Sequence, residues 1–210
     1  VKVAVIDYGM GNLRSVSKAV EHVAPDAEVR VTDDAKFIAD ADRIVFPGQG
    51  AARDCMAAIG DHHLNEAVLH AAQNTPFLGI CMGLQVLLQH SEENQGTDLL
   101  GLIPGDVIRF PHGLSEHGEK LKVPHMGWNE VRQTMDHALW KNIKNNDRFY
   151  FVHSYYVKLK DDTMRSGETE YGLPFTCAIA HDNLFAVQFH PEKSAHAGLT
   201  LLKNFIDWNI

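Results

Sequence analysis

Cysteine is scarce: the 210 residues hold three, Cys55, Cys81 and Cys177, with no paired spacing. That argues against a disulfide framework and for a reducing compartment. Long apolar runs are missing too, and none approaches the roughly 20 residues of a membrane span. The apolar run Val1–Ile6 is too short, and too soon interrupted by Asp7, for a secretion signal. The expectation is therefore a cytoplasmic protein. Basic residues are outnumbered, 19 Lys and Arg against 27 Asp and Glu, for a net charge of −8. Without a basic stripe to neutralise phosphates, nucleic acid is excluded as the expected partner. The chain also lacks repeats, low-complexity tracts and linkers, and no shift in composition divides it. One domain over residues 1–210, with a substantial core, is expected.

What is present alternates. Val1–Ile6 reads as a first strand, followed by the loop Asp7-Tyr8-Gly9-Met10-Gly11-Asn12 and a helix over 13–23. Val29–Thr32 and Arg43–Phe46 read as strands, Asp54–Ala72 as mostly helical with a break near Gly60, and Phe77–Ile80 as a buried strand leading into a helix over 82–90. Strand–helix alternation of this kind predicts βαβ units and a mainly parallel sheet. After a polar stretch, Ser91–Asp98, expected as a surface loop, the pattern changes. Val107–Phe110, Asn129–Arg132, Arg148–His153, Tyr155–Leu159, Thr176–Ala180 and Leu184–Phe189 read as strands, several hairpin-linked, with His181-Asp182-Asn183 as a turn. These add antiparallel strands to the sheet edge. Ser194–Trp208 closes the chain as a helix. The expected fold is α/β, a mixed but mainly parallel central sheet flanked by helices and carrying a nucleophile elbow, flavodoxin-like in kind.

Three glycine loops open at carboxyl ends of strands, where such sheets place their sites. Gly9-Met10-Gly11 lacks the third glycine of a dinucleotide fingerprint, because Arg14 stands there. The third loop is more specific. Cys81 is flanked by Gly79 and Gly83 between an apolar strand and a helix start, the spacing of a nucleophile elbow. A packed core thiol would fit the same residue taken alone.

A thiol nucleophile needs a base, and thirteen histidines supply candidates. His62, His63 and His70 fall on a surface helix, without a carboxylate or cysteine to complete a metal set. His112, His117, His125 and His137 read as loop residues. His190 differs: it follows the strand Leu184–Phe189 directly and precedes Pro191-Glu192. A Cys81–His190–Glu192 triad follows, with imidazole as base and acid and the carboxylate fixing its tautomer. The N–H of Met82 after the nucleophile, with the loop Pro47-Gly48-Gln49-Gly50, would supply oxyanion donors. Neither a metal nor a cofactor is required.

Gly79-Ile80-Cys81-Met82-Gly83-Leu84-Gln85 together with Gln188-Phe189-His190-Pro191-Glu192-Lys193-Ser194 resembles the signature of class I, triad-type glutamine amidotransferases. Asp7–Leu13, Pro124-His125-Met126-Gly127-Trp128-Asn129 and Tyr150–Tyr155 narrow the resemblance to the glutaminase subunits of imidazole glycerol phosphate synthases, over nearly the whole chain. The resemblance implies glutamine hydrolysis through a Cys81 thioester, with Gln49, Gly50 and Met82 at the oxyanion and Gly50, Gln85, Ser154 and Tyr155 in the glutamine pocket. It also implies ammonia delivery to a (β/α)₈-barrel cyclase subunit in a heterodimer, with Asn12, Trp128 and Lys193 facing that partner. Many relatives carry a small apolar residue where Gln49 stands. Two other readings stay open: the glutaminase partner of pyridoxal phosphate synthase, which carries a Gly-Gly-Glu-Ser type loop in place of Pro47–Gly50, and a redox-sensing thiol domain using Cys81.

Overall fold

The computed structural model describes residues 1–210. The first half runs β1 (Lys2–Ile6), α1 (Leu13–Val23), β2 (Glu28–Thr32), α2 (Ala35–Asp40), β3 (Arg43–Gly48), α3 (Ala52–Asp61), α4 (Asn65–Asn74), β4 (Phe77–Cys81) and a one-turn α5 (Met82–Gln85). The second half carries β5 (His90–Ser91), β6 (Thr97–Asp98), β7 (Gly105–Arg109), β8 (Ser115–Glu116), β9 (Glu119–Lys120), β10 (His125–Gln133), β11 (Asp147–His153), β12 (Tyr155–Leu159), β13 (Arg165–Glu170), β14 (Pro174–His181), β15 (Leu184–Val187) and α6 (Ala195–Asp207). One sheet takes in 13 of these strands. Its run β2-β1-β3-β4-β15 is parallel, and β14, β12 and β7 extend it in antiparallel fashion. Strands β13, β10 and β11 branch from β14, each pairing antiparallel with the one before.

The unbroken apolar runs have a direct cause: the central strands are covered on both faces. Val3, Val5, Val45, Leu78, Ile80, Phe185 and Val187 point to one side, where Val16 and Val20 of α1 and Leu201, Leu202 and Phe205 of α6 meet them. The alternate residues Ala4, Ile6, Ile44, Phe46, Phe77, Leu184 and Ala186 point to the other, against Ile38 of α2, Ile59 of α3 and Val68 of α4. The period-2 geometry of a strand thus builds two cores from one sequence run.

Several expectations are corrected. The helix expected over 82–90 ends after one turn, because Leu99–Ile103 folds back on it. The carbonyls of Val86, Leu87 and Leu88 accept from the N–H groups of Leu100, Ile103 and Gly101 instead of continuing a helical ladder. Ser91–Asp98 is no simple surface loop: it forms β5 and β6, and the Glu93 carboxylate accepts the Ala52 N–H at the start of α3, 2.8 Å away. His62 and His63 sit in the turn between α3 and α4, with His63 at φ +54°, rather than on a helix. His125 opens β10 and is buried, not in a loop. The last strand ends at Val187, two residues short of Phe189, and β13 and the β8–β9 hairpin had no counterpart in the sequence reading.

Two glycines make the elbow possible. A Cβ at Gly83 would lie 1.8 Å from the Phe46 carbonyl oxygen of β3, and one at Gly79 would lie 2.7 Å from the Gly83 oxygen. The chain turns that tightly because β3 runs beside β4 with Gly48 opposite Cys81. Gly83→Ala is therefore expected to cost about 3 kcal/mol, the upper end of overpacking penalties, since a backbone atom cannot rotate aside. Urea denaturation of the two proteins would read this, and an unchanged midpoint would contradict the close approach.

Candidate active site

Cys81 sits where β4 gives way to α5, at φ +57° and ψ −110°. A non-glycine residue in that region carries on the order of 1–3 kcal/mol of strain, held only where the surroundings over-determine it. Here β3 and β15 flank β4 in parallel register on either side, while Gly79 and Gly83 admit the turn. The helix after it is a single turn, so a macrodipole contributes little. What remains are the unpaired N–H groups of that turn, beginning with Met82.

His190 arrives from the neighbouring strand. Val187 of β15 pairs beside Ile80, which brings Gln188 level with Cys81 and carries Phe189 and His190 past the end of β4. The His190 N–H donates to the Tyr150 carbonyl (2.9 Å). The Ser194 hydroxyl donates to the His190 carbonyl (2.6 Å) while accepting the Tyr150 N–H (2.9 Å). Ser194 thus clamps the post-strand segment onto β11. Pro191 then starts a short 3₁₀ turn that carries the Glu192 carboxylate back to the ring, 2.8 Å from Nδ1, with both side chains almost wholly buried. Because the carboxylate only accepts, Nδ1 carries the proton and Nε2 is the end free for chemistry. Nε2 and the second Glu192 oxygen are buried without a hydrogen-bond partner. Burial alone would lower the His190 pKa; interaction with Cys81 and the hydrogen bond and charge of Glu192 outweigh it and push it up to about 10. The ring is poised as an imidazolium beside the Cys81 sulfur.

A cavity of about 490 Å³ opens over Cys81, lined among others by Gln49, Gly50, Met82, Gln85, Ser154, Tyr155 and His190. The structure therefore brings together every residue expected in the triad, the oxyanion wall and the glutamine pocket. A larger, more open groove of about 730 Å³ runs along α6, bordered by the end of α1 and by residues 138–142, and Cys81 is on none of its walls. Of the residues expected at a partner surface, Trp128 is half-exposed and packs edge-on to Tyr150 (6.2 Å between rings), over which Lys193 extends (5.9 Å). Asn12 precedes α1 at the C-terminal edge of β1.

The sequence reading missed a supporting layer. Gln188 leaves the sheet after Val187 and places its amide nitrogen 3.7 Å from the Cys81 sulfur. Its oxygen accepts from Gln85 at 2.9 Å. Tyr8 donates from its hydroxyl to the Pro47 carbonyl (2.9 Å), and the Cys55 thiol donates to the Gln49 carbonyl (3.1 Å). Burial pushes the Cys55 pKa up to about 12, so it remains a thiol and a donor. These two bonds fix the orientation of the loop 47–50, and since a trans peptide directs its C=O and N–H oppositely, they turn the Gly50 N–H away from Cys55. In the sequence Tyr8 and Cys55 read only as core residues. Gln188, by contrast, was readable as a polar residue closing an otherwise apolar strand.

The model for glutamine amidotransferase class-I matches residues 4–208. The imidazole glycerol phosphate synthase subunit HisH of Thiobacillus denitrificans is 60% identical over 211 residues, covering 100% of this chain and 92% of that protein. The subunit of the same name from Hydrogenovibrio crunogenus is 58% identical, covering 99% and 96%. Among solved structures, a putative GMP synthase subunit from Thermoplasma acidophilum superposes with a TM-score of 0.70 at 18% identity, covering 99% of this chain and 92% of that one. A glutamine amidotransferase from Thermotoga maritima gives 0.63 at 16%, covering 94% and 78%. At those identities the two structures speak for the fold alone. With the elbow, the buried His190–Glu192 pair and a family match over almost its whole length, the chain belongs to the class I glutamine amidotransferases, in the branch of the HisH subunits.

Proposed function

We propose that residues 1–210 act as one glutaminase domain, hydrolysing L-glutamine to glutamate and ammonia as a subunit of imidazole glycerol phosphate synthase. The observation that carries this is Cys81 on a strained elbow beside a His190 whose Nδ1 is already bonded to Glu192. The Cys81 thiolate attacks the side-chain amide carbon, and the carbonyl π pair moves onto oxygen. The N–H groups of Met82 and of the Gln49–Gly50 segment stabilise that oxyanion. As the tetrahedral adduct collapses, the C–N bond breaks and His190 gives its Nε2 proton to the leaving nitrogen, releasing ammonia and a glutamyl thioester. Water, deprotonated by the now neutral His190, attacks the thioester, and the C–S bond breaks to return thiolate and glutamate. Glu192 holds the ring in one tautomer throughout. Gly50, Gln85, Ser154 and Tyr155 hold the amino-acid end of the substrate.

The ammonia serves a partner. In a heterodimer it passes to a (β/α)₈-barrel cyclase subunit, which forms imidazole glycerol phosphate and the aminoimidazole carboxamide ribotide in histidine biosynthesis, in the cytoplasm. The names of the relatives, which are subunits of that synthase, support this reading. So does an exposed pair on β10, Met126 and Trp128, beside Lys193 at the cavity mouth. An aromatic anchor with a nearby cation is common at interface centres. Ammonia set free in water at neutral pH would be protonated and lost as a nucleophile, so release into a docked subunit makes chemical sense.

Cys81→Ala is expected to lower ammonia release from glutamine by at least about 10³-fold, the scale of losing a covalent nucleophile, in the chain assayed with its cyclase. Normal turnover by that variant would sink the proposal. Activity of the wild-type chain should rise when the cyclase and its nucleotide ligand are added.

Glu192→Gln removes the charge that helps to raise His190. Since the folded pKa lies above the unfolded value, His190 adds stability that is complete below about pH 6.5 and disappears as pH rises through about 10. In the variant the His190 midpoint, followed by NMR of the ring, should fall toward 6.5, and the alkaline loss of stability should begin at lower pH. The kcat should drop about 10²-fold or more, as expected when the base loses its orienting carboxylate. A midpoint unmoved from wild type would remove Glu192 from the triad.

A further inference from the structure

Beside Ser154 and Tyr155 the cavity is lined by His153, which pairs with His125, and the hydrolysis uses neither histidine. His125 and His153 face each other across β10 and β11, and both are buried in a cage of Phe110, Phe151, Tyr171 and Phe175. His125 stacks between Phe151 and Tyr171 at 4.8 and 4.1 Å. Phenyl rings would fill such a cage at lower desolvation cost, so packing alone does not account for two imidazoles.

The hydrogen bonds give the pair a direction. His153 Nδ1 lies 2.7 Å from the Tyr155 carbonyl oxygen, which can only accept, so Nδ1 carries the proton. Burial, helped by the neighbouring His125, pulls the His153 pKa down to about 3, and burial pulls His125 down to about 4; both rings are neutral at pH 7. A neutral His153 therefore accepts at Nε2, and His125 donates to it from Nδ1 over 2.9 Å. His125 in turn accepts at Nε2 from the Asn129 amide, 3.2 Å away. The orientation of that amide is fixed independently: its nitrogen also donates to the Glu170 carbonyl (2.8 Å) and its oxygen accepts the Glu130 N–H (2.8 Å). Each donor in the series Asn129, His125, His153 thus points the same way, toward the Tyr155 carbonyl. That carbonyl also receives the Gln85 amide at 3.2 Å, and Gln85 continues to Gln188, next to Cys81.

We propose that His153, held by His125 and Asn129, is a positioning residue that sets the Ser154–Tyr155 wall and the Gln85 side chain for glutamine binding. The bond from His153 back to the residue two places on closes the bend at Ser154 between β11 and β12, where the Ser154 carbonyl is also tied, to the Phe110 N–H (3.2 Å). Without the His153 donor, the Tyr155 carbonyl loses one of its two partners and Gln85 loses the fixed acceptor that aims it. The inference rests on the reading of this cavity as the glutamine site.

The test is steady-state glutaminase kinetics of the full chain with its cyclase. His153→Phe keeps an aromatic ring in the cage but deletes the donor, and is expected to raise KM for glutamine about tenfold with kcat changed less than about threefold, the signature of lost ground-state binding. His153→Asn retains an N–H where Nδ1 stood and should recover most of that loss. His125→Phe, which leaves His153 Nε2 without a donor, should raise KM by an intermediate factor. Unchanged KM in both Phe variants would overturn the proposal. So would an Asn variant as weak as Phe, since ring volume rather than the donor would then matter. If His153→Phe does not fold, His153→Asn near wild type with His125→Phe raised in KM supports the proposal, and any other pattern overturns it. Failure of the underlying site reading looks different: the glutamine analogue 6-diazo-5-oxo-L-norleucine would then leave Cys81 of the wild-type chain unlabelled while iodoacetamide still alkylated it.

Discussion

The backbone of Cys81, held at positive φ between two glycines, is the constraint on which the rest depends. A cysteine at the end of an ordinary strand would point its sulfur along the alternation of the sheet, into one core or the other. The bend lifts it out of that alternation to the carboxyl edge, where β3 and β15 present Gln49 and His190. Strain of this kind persists only if the flanking structure would lose more by relaxing it. Parallel pairing on both sides of β4, and the Phe46 carbonyl at the place a Gly83 side chain would need, supply that loss. The two covered faces of the sheet are therefore part of the site, since they keep β4 central.

Once the nucleophile is placed, the remaining groups are set by tying carbonyls rather than by adding charges. Tyr8 holds the Pro47 carbonyl, Cys55 that of Gln49, Ser194 that of His190, and His153 that of Tyr155. In each case a side chain fixes a peptide plane, and the opposite edge of that plane is determined with it. This suits a reaction whose main demand is donors waiting for a developing oxyanion, because preorganised amides need no reorientation when charge appears. The free Cys55 belongs to this layer, its raised pKa keeping it a donor and removing it from competition with Cys81.

How much of this could be read beforehand follows the range of the interaction concerned. The alternating apolar runs, the helix over 13–23 and the parallel first half were legible, because the period of burial is a local property. So were Cys81, His190 and Glu192, whose spacing to glycine and proline encodes the turn that carries them. The helix beyond Gln85 was not legible: Val86–Leu88 is apolar enough to continue it, and only the return of Leu99–Ile103 takes its carbonyls away. His125 was misplaced for the same reason, since its partner His153 lies 28 residues on and nothing near it in sequence announces burial. Gln188 stands between these cases, a polar residue at the end of an apolar strand whose partners Gln85 and Cys81 come from another strand's end.

Two histidines reach this cavity, and their environments drive them in opposite directions. His190 and His153 are both buried, and burial pushes each toward the neutral form. What separates them is the identity of the second partner. His190 faces a carboxylate at Nδ1 and the Cys81 sulfur, and its interactions with both favour the cation. His153 faces a carbonyl dipole and a second imidazole, which together cannot balance the cost of charging it. Their proximity widens the gap, because a cationic His190 disfavours a second positive charge on His153. In the proposed mechanism, a ring that exchanges a proton each half-cycle and a ring that stays neutral can then line one pocket. The Cys81 sulfur and the Glu192 carboxylate together decide which is which: a carboxylate placed beside His153 instead would favour the charged form there and make the wall titrate.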